Sequence, residues 1–262
     1  MKKIIAGCYQ FDVRSGDVDR NLASVEEAVG EFAKDGCRLL VLPEMWSSGF
    51  AYPRLKSMAE NTPAILESLK AWGSRYGMVL VGSLPEAESG RIFNTSYVID
   101  ASGKIAGKYR KMHLFSLHNE HLHFGRGETA LVCSTEAGRV GVMICYDLRF
   151  PELARRLALD GAEILCISAL WPKARVDHWS LLLRGRALEN QCFVVGCNGC
   201  GREEQMEFGG SSAVVSPTAT VLAQADDRES RIVALLNPEE MAAFRKQIPC
   251  FPDRLPDAYK MD

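Results

Sequence analysis

The chain has no long apolar run. No segment of its 262 residues is hydrophobic enough over a sufficient length to span a bilayer, so a transmembrane helix is not expected. It also lacks an excess of one charge. Lysine and arginine (31) nearly balance aspartate and glutamate (33), and a net charge of −2 leaves no electrostatic footprint for nucleic acid or an anionic membrane. Low-complexity tracts, charge blocks and Pro/Gly/Ser-rich stretches are missing from the middle of the chain, so nothing reads as a linker and one domain over residues 1–262 is expected. A disulfide framework is not indicated either. The nine cysteines are odd in number and scattered, several inside apolar segments (Cys8, Cys133, Cys166, Cys192), which suits a reducing cytosol. At the N-terminus, only Ile4 to Gly7 separate the lysines from Cys8, whereas a signal core needs roughly 7–15 apolar residues. A soluble, cytoplasmic protein is expected, with a small molecule or another copy of the chain as its partner.

What is present is a strand-then-helix rhythm in a chain that is 47% apolar, enough for a sizeable core. Lys3 to Phe11 reads as a strand. Asn21 to Lys34 has helical spacing, with Leu22, Val25, Ala28, Val29 and Phe32 on one face. Arg38 to Leu42 is a short buried strand, Pro63 to Tyr76 a helix, and Met78 to Leu84 another strand. Phe93 to Asp100 and Lys104 to Tyr109 pair across Ala101-Ser102-Gly103. The rhythm returns with a helix at Pro151 to Leu159, a strand at Glu163 to Ala169, a helix at Trp179 to Asn190 with Leu182, Leu183, Arg186 and Leu188 inward, and a strand at Cys192 to Cys197. Three late strands (Gly210 to Ser216, Thr220 to Ala225, Ile232 to Leu236), a short helix at Glu239 to Lys246 and a proline-containing tail complete the chain. Alternating strands and helices with interleaved hairpins predict an α/β fold: two mixed sheets face to face with helices outside, a four-layer α-β-β-α sandwich.

Gly138 to Glu152 concentrates the most chemistry. Val140, Val142 and Ile144 form a strand buried on both faces, and Asp147 and Pro151 read as helix-opening residues, Asp147 as the N-cap. Cys145 falls where strand gives way to helix, where free N–H groups favour a thiolate or an oxyanion. A small core hydrophobe is the alternative. Glu44 follows a buried strand directly, at the edge where open α/β folds bind ligands, although a solvated loop acid fits too. Lys111 sits among Lys108, Arg110 and His113, so charge alone does not select it. His118, His121 and His123 suggest a metal, but their spacing does not put all three on one helical face and matches no zinc motif. The Cys197-Asn198-Gly199-Cys200 pair has no second pair nearby, and Gly209-Gly210-Ser211-Ser212-Ala213 lacks the final glycine and following helix of a hydrolase serine elbow.

Three segments together resemble one family. Leu42-Pro43-Glu44-Met45, Tyr109 to Phe115 and Cys145 to Glu152 are similar, in order and spacing, to the signature segments of the nitrilase (carbon–nitrogen hydrolase) superfamily. The resemblance continues through Arg186 to Gln191 and Gly209 to Ser212, and covers essentially the whole chain. Within the superfamily the chain is most similar to the omega-amidase branch, which hydrolyses the terminal amide of 2-oxo acids such as 2-oxoglutaramate and 2-oxosuccinamate; Ser48-Gly49-Phe50, His113-Leu114-Phe115, Glu120 to His123, Trp171-Pro172 and the tail near Phe244 to Tyr259 carry that finer likeness. The resemblance implies Glu44 as general base, Lys111 as the lysine of the triad, Cys145 as nucleophile and Glu120 as an additional active-site carboxylate, with Glu128 as its alternative. It implies amide hydrolysis through a thioester, no metal, no organic cofactor, and a homodimer with the tail, about 247–262, near the partner.

Substrate contacts are less determined. The backbone N–H of Tyr146 is expected to help hold an oxyanion, and Trp171 to wall the pocket. A substrate carboxylate needs a cation, for which Arg149, Lys173, Arg175 and Arg186 are candidates. Arg149, four residues after Cys145, could equally form a structural ion pair with Glu152. Three rival readings stand beside the omega-amidase one: an amidase for deaminated glutathione or N-carbamoyl compounds, a catalytically silent binding module, and a metallohydrolase using the histidines.

Overall fold

The computed structural model describes residues 1–203 and 205–258. The first half runs β1 (Ile4–Gln10), α1 (Val18–Lys34), β2 (Cys37–Val41), α2 (Leu55–Glu60), α3 (Thr62–Tyr76), β3 (Val79–Glu88), β4 (Arg91–Ile99) and β5 (Ile105–Arg110). After the short α4 (Glu120–His123), the second half runs β6 (Val132–Thr135), β7 (Gly138–Ile144), α5 (Pro151–Leu159), β8 (Ile164–Ala169), α6 (Val176–Asn190), β9 (Phe193–Asn198), β10 (Cys200–Glu203), β11 (Met206–Gly209), β12 (Ala213–Val215) and β13 (Val221–Gln224). β14 (Ser230–Leu236) then returns to the first half, and α7 (Pro238–Gln247) leads into the tail.

Two six-stranded sheets result, ordered β14-β1-β2-β3-β4-β5 and β13-β12-β9-β8-β7-β6. In each, three parallel strands (β1, β2, β3; β7, β8, β9) are flanked by one antiparallel strand on one side and an antiparallel pair on the other. The reason is written in β2. Successive side chains point to opposite faces, and both faces are covered, so the strand is apolar nearly throughout. Leu39 and Val41 pack into the central core with Val142, Ile144 and Cys166 of the other sheet. Leu40 and Leu42 pack outward with Val25, Val29 and Phe32 of α1 and Ile65, Leu69 and Trp72 of α3. Helices α5 and α6 cover the second sheet in the same way through Leu153, Leu157, Trp179 and Leu183. The four layers expected from the sequence are present.

Helix ends follow local chemistry. Asp17 caps α1 by accepting from the Arg20 N–H, and α3 stops at Gly77, whose φ of +58° a glycine adopts without strain. Several expectations need correction. Asp147 is not an N-cap. It lies inside a 3₁₀ turn over Cys145–Arg149 and accepts from the Ile144 N–H at 2.9 Å. On α6 the buried face is Trp179, Leu183, Arg186, Ala187 and Asn190, while Leu188 is 48% exposed. The sequence reading omitted α2, β6 and the β10–β11 hairpin. The tail, as far as it is described, packs on its own chain: Gln191 donates to the Ile248 carbonyl, and the Arg155 and Arg245 guanidinium groups lie over the Phe251 ring. Residues 259–262, including Tyr259, lie outside the described residues. Among those described, no helix is long and apolar enough to cross a membrane.

Candidate active site

The carboxyl ends of β2, β7 and β8 open onto one pocket. Pro43 stops β2, and the chain then turns at Met45, which takes a φ of +46°. Glu44 is driven inward there and is fully buried. Its carboxylate accepts three hydrogen bonds: from Lys111 Nζ at 2.8 Å and Asn94 Nδ2 at 2.8 Å on Oε1, and from the Leu170 backbone N–H at 3.0 Å on Oε2. The Glu44 N–H itself donates to the Ala169 carbonyl at the end of β8, which ties the two sheets together at this point.

Lys111 follows β5 and is also fully buried. Its ammonium donates to Glu44 and, again at 2.8 Å, to Glu120 Oε1. Burial pulls the ammonium down, but the adjacent carboxylates of Glu120 and Glu44 outweigh it, and the pKa stands well above the usual lysine value. Lys111 is therefore a permanent cation. Glu120 opens α4, and its second oxygen accepts from the Phe115 N–H at 3.2 Å. Burial and the nearby Glu44 charge push its carboxyl up to about 7, against the pull of Lys111. Two carboxylates sharing one ammonium leave a surplus negative charge, so one of them holds a proton more readily than usual.

Cys145 follows β7 directly with a φ of +44°, a conformation that a non-glycine side chain adopts at a cost of roughly 1–3 kcal/mol. The turn brings Cys145 into the pocket beside Glu44, close enough for the Glu44 charge to act on the thiol. Burial and the Glu44 charge raise the thiol pKa well above its ordinary value, and Lys111 only partly offsets them. The thiol is thus protonated at rest, beside the Glu44 carboxylate. Tyr146 is the next residue in this 3₁₀ turn, and the first N–H groups of such a turn have no partner within it.

Asp147 braces the arrangement. Fully buried, it accepts from the Ile144 N–H and the Tyr109 hydroxyl (2.7 Å) on one oxygen, and from the His113 N–H (3.0 Å) and ring Nδ1 (2.7 Å) on the other. Tyr109 and His113 flank Lys111, and Ile144 precedes Cys145. One carboxylate therefore fixes the lysine segment relative to the cysteine turn.

The structure brings Glu44, Lys111, Glu120 and Cys145 to one point, and places Tyr146, Arg149 and Trp171 on the pocket wall. Glu128 is exposed and stands apart from this cluster. Arg149 makes no ion pair with Glu152 among the described residues. Its guanidinium lies 4.7 Å from the Trp171 ring centroid and its Nη2 lies 3.4 Å from His178 Nδ1. The histidine cluster separates: His118 lines the pocket, while His123 stacks on Tyr52 at 4.0 Å. Among the described residues no group of three His, Cys, Asp or Glu side chains is placed to hold a metal. Phe50, Phe115 and His118 also lie on the wall, a place the sequence did not assign them although all three fall in segments it singled out. Asn94 against Glu44 was missed altogether, because it reaches the site only through the fold.

The carbon–nitrogen hydrolase family model matches residues 5–246. The chain is 37% identical to the 2-oxoglutaramate amidase of Bacillus subtilis (strain 168), over 96% of this chain and 98% of that protein. It is 34% identical to the 2-oxoglutaramate amidase of Paenarthrobacter nicotinovorans, over 84% of this chain and 79% of that protein. Its fold superposes on the crystal structure of a carbon–nitrogen hydrolase from Helicobacter pylori G27 with a TM-score of 0.92 at 27% identity, covering 97% of this chain and 96% of the other. With three buried charged groups converging on a cysteine at a strained turn, and a match along nearly the full length, the chain belongs to the carbon–nitrogen hydrolase (nitrilase) superfamily.

Proposed function

We propose that this amidohydrolase cleaves the terminal carboxamide of a small substrate that also carries a carboxylate, of the 2-oxoglutaramate or 2-oxosuccinamate type. The observation that carries the chemistry is the protonated Cys145 thiol lying beside the Glu44 carboxylate in one pocket, with the Lys111 cation paired to that carboxylate. The thiol needs a base, and Glu44 is in place to be that base. Cys145 Sγ attacks the amide carbon as Glu44 takes the thiol proton. Lys111 and the Tyr146 N–H hold the negative charge that develops on the amide oxygen. Glu44 returns the proton to the leaving nitrogen, ammonia departs, and an acyl thioester remains on Cys145. A water then attacks the thioester carbon while Glu44 takes its proton; the carboxylate product leaves and the thiol is restored.

The three bonds on Glu44 hold its carboxylate in one orientation through both half-reactions, since no donor is lost when the proton moves. Glu120 fixes the Lys111 ammonium from its far side. The substrate class rests on the two 2-oxoglutaramate amidases to which the chain is similar and on the arginines of the pocket wall. The test is ammonia release from a panel containing 2-oxoglutaramate, deaminated glutathione and an N-carbamoyl amino acid. Preference for 2-oxoglutaramate is expected. Preference for either of the others would move the chain to a different branch, and turnover of none would overturn the assignment.

A further inference from the structure

Four cations of the second half were candidates to receive a substrate carboxylate, and the structure has already engaged two of them. Lys173 is exposed and pairs with Glu207 at 2.7 Å and Asp227 at 3.2 Å. Arg186 is buried away from the pocket, donating to the Leu148 carbonyl at 3.0 Å and pairing with Glu189 at 2.9 Å. Arg149 and Arg175 remain, and both line the pocket that holds Cys145. Arg149 is braced by the Trp171 ring and by His178. The Arg175 guanidinium is half-buried and, among the described residues, makes no hydrogen bond or ion pair. Its main chain, in contrast, is fixed: the Arg175 N–H donates to the Pro172 carbonyl, and the Trp171 indole Nε1 donates to the Arg175 carbonyl at 2.8 Å.

A guanidinium held in a pocket wall with its five donors unused is an anion receptor. Its charge is already felt inside the pocket, where, behind the larger effect of burial and alongside Lys111, it lowers the pKa of His118. The pocket floor has the opposite character, because Glu44 and Glu120 outnumber Lys111. A molecule with an amide at one end and a carboxylate at the other has only one favourable orientation. Its anion is repelled by the floor and held at the wall, which delivers the neutral amide to Cys145.

We infer that Arg175 is the specificity-determining residue of this site, the primary receptor for the substrate carboxylate, with Arg149 as a second cation on the same wall. This rests on the amidase reading above and deepens it. The chemical class selected is an amide with a free carboxylate at its far end. A neutral amide of the same length forfeits the contact, and a site built to pair a charge discriminates strongly against a ligand that lacks it.

The test compares succinamate with butanamide, in which a methyl group replaces the carboxylate. In Arg175→Gln the ratio of kcat/KM for succinamate over butanamide should fall by about 10²-fold, mainly through KM for succinamate. Arg175→Lys, which keeps the charge and loses the fork, should fall between the two. Since the side chain makes no bond among the described residues, the Gln variant should unfold at the wild-type temperature. An unchanged ratio in Arg175→Gln, with wild type still preferring succinamate, overturns the inference and leaves the amidase reading standing; a wild-type enzyme that prefers butanamide overturns the inference and the carboxylate-substrate part of that reading, leaving only the amide chemistry. Failure of that reading looks different: wild-type protein would release ammonia from neither amide, which overturns both.

Discussion

At the carboxyl end of β2 the first sheet presents Glu44, whereas β8, which holds the same place in the second sheet, ends in Leu170 and Trp171. The contrast extends to the other strand ends. β1 leads into Phe11 and Asp12, whereas its counterpart β7 leads into Cys145 on a strained turn. The first half thus contributes charge, Glu44 and Lys111, and with Glu120 beyond it builds a closed ionic cluster. The second contributes an uncharged thiol, a backbone N–H to Glu44 and the wall of the pocket. One strand plan supports both because strand order fixes only where side chains converge, while the residues just past each strand end decide what converges there. The two contributions should also fail differently. A thiol can be removed without leaving a charge unpaired, but a member of the ionic cluster cannot.

Cys145→Ala should have the largest effect on turnover, a loss of at least about 10⁴-fold, with denaturant stability near wild type. A stable but fully active variant would break the comparison at once. Lys111→Met should abolish turnover as well, and chemical denaturation should show a further loss of about 3–5 kcal/mol, because Glu44 and Glu120 are left buried without their cation. Equal stability of these two variants would mean that the ionic cluster is no more structural than the thiol. Asp147→Asn should fall between them. Its amide would face two N–H or O–H donors, at a cost of about 1–3 kcal/mol, and kcat should drop because Asp147 joins Tyr109 of the first half to Ile144 of the second.

The smallest effect is in pH. The Glu120 carboxyl is raised to about 7 in the folded chain, above its value near 4.5 when unfolded. A raised acid binds its proton more tightly folded than unfolded, so the stability it contributes is full below about 4.5 and is lost as pH rises toward 7. The midpoint of urea unfolding of Glu120→Gln relative to wild type should therefore shift upward between these two pH values. A parallel pair of curves would sharpen the account by placing the shared proton elsewhere in the cluster.

Local form made Glu44, Lys111 and Cys145 visible only as candidates, after a strand stopped by Pro43, a hairpin and an apolar strand; the resemblance of their three segments to one family is what selected them together. The four-layer fold was legible from local form, since strands covered on both faces, such as Leu39 to Leu42, read as unbroken apolar runs. Asn94 was not legible. It lies in the middle of β4, and only the pairing of that strand brings its amide to Glu44. Arg175 was one of four candidate cations in the sequence, and only the structure separates it from Lys173 and Arg186, which are paired elsewhere. The β10–β11 hairpin escaped because Arg202, Glu203 and Glu207 interrupt its apolar pattern, and β6 because it is short and half exposed at a sheet edge. Leu188 was misplaced because its spacing suits a helix packed on one side, whereas Ala187 and Asn190 hold that position.

The central claim is that a nucleophile from one half and a base from the other act on one amide carbon. Acid-quenching the enzyme during steady-state turnover of 2-oxoglutaramate, followed by mass spectrometry of the peptide bearing Cys145, tests it directly. The expected result is a mass increase on the Cys145 peptide equal to the substrate less ammonia, absent from Cys145→Ala. Ammonia release by Cys145→Ala at the wild-type rate, with no adduct on the wild-type cysteine, would contradict it.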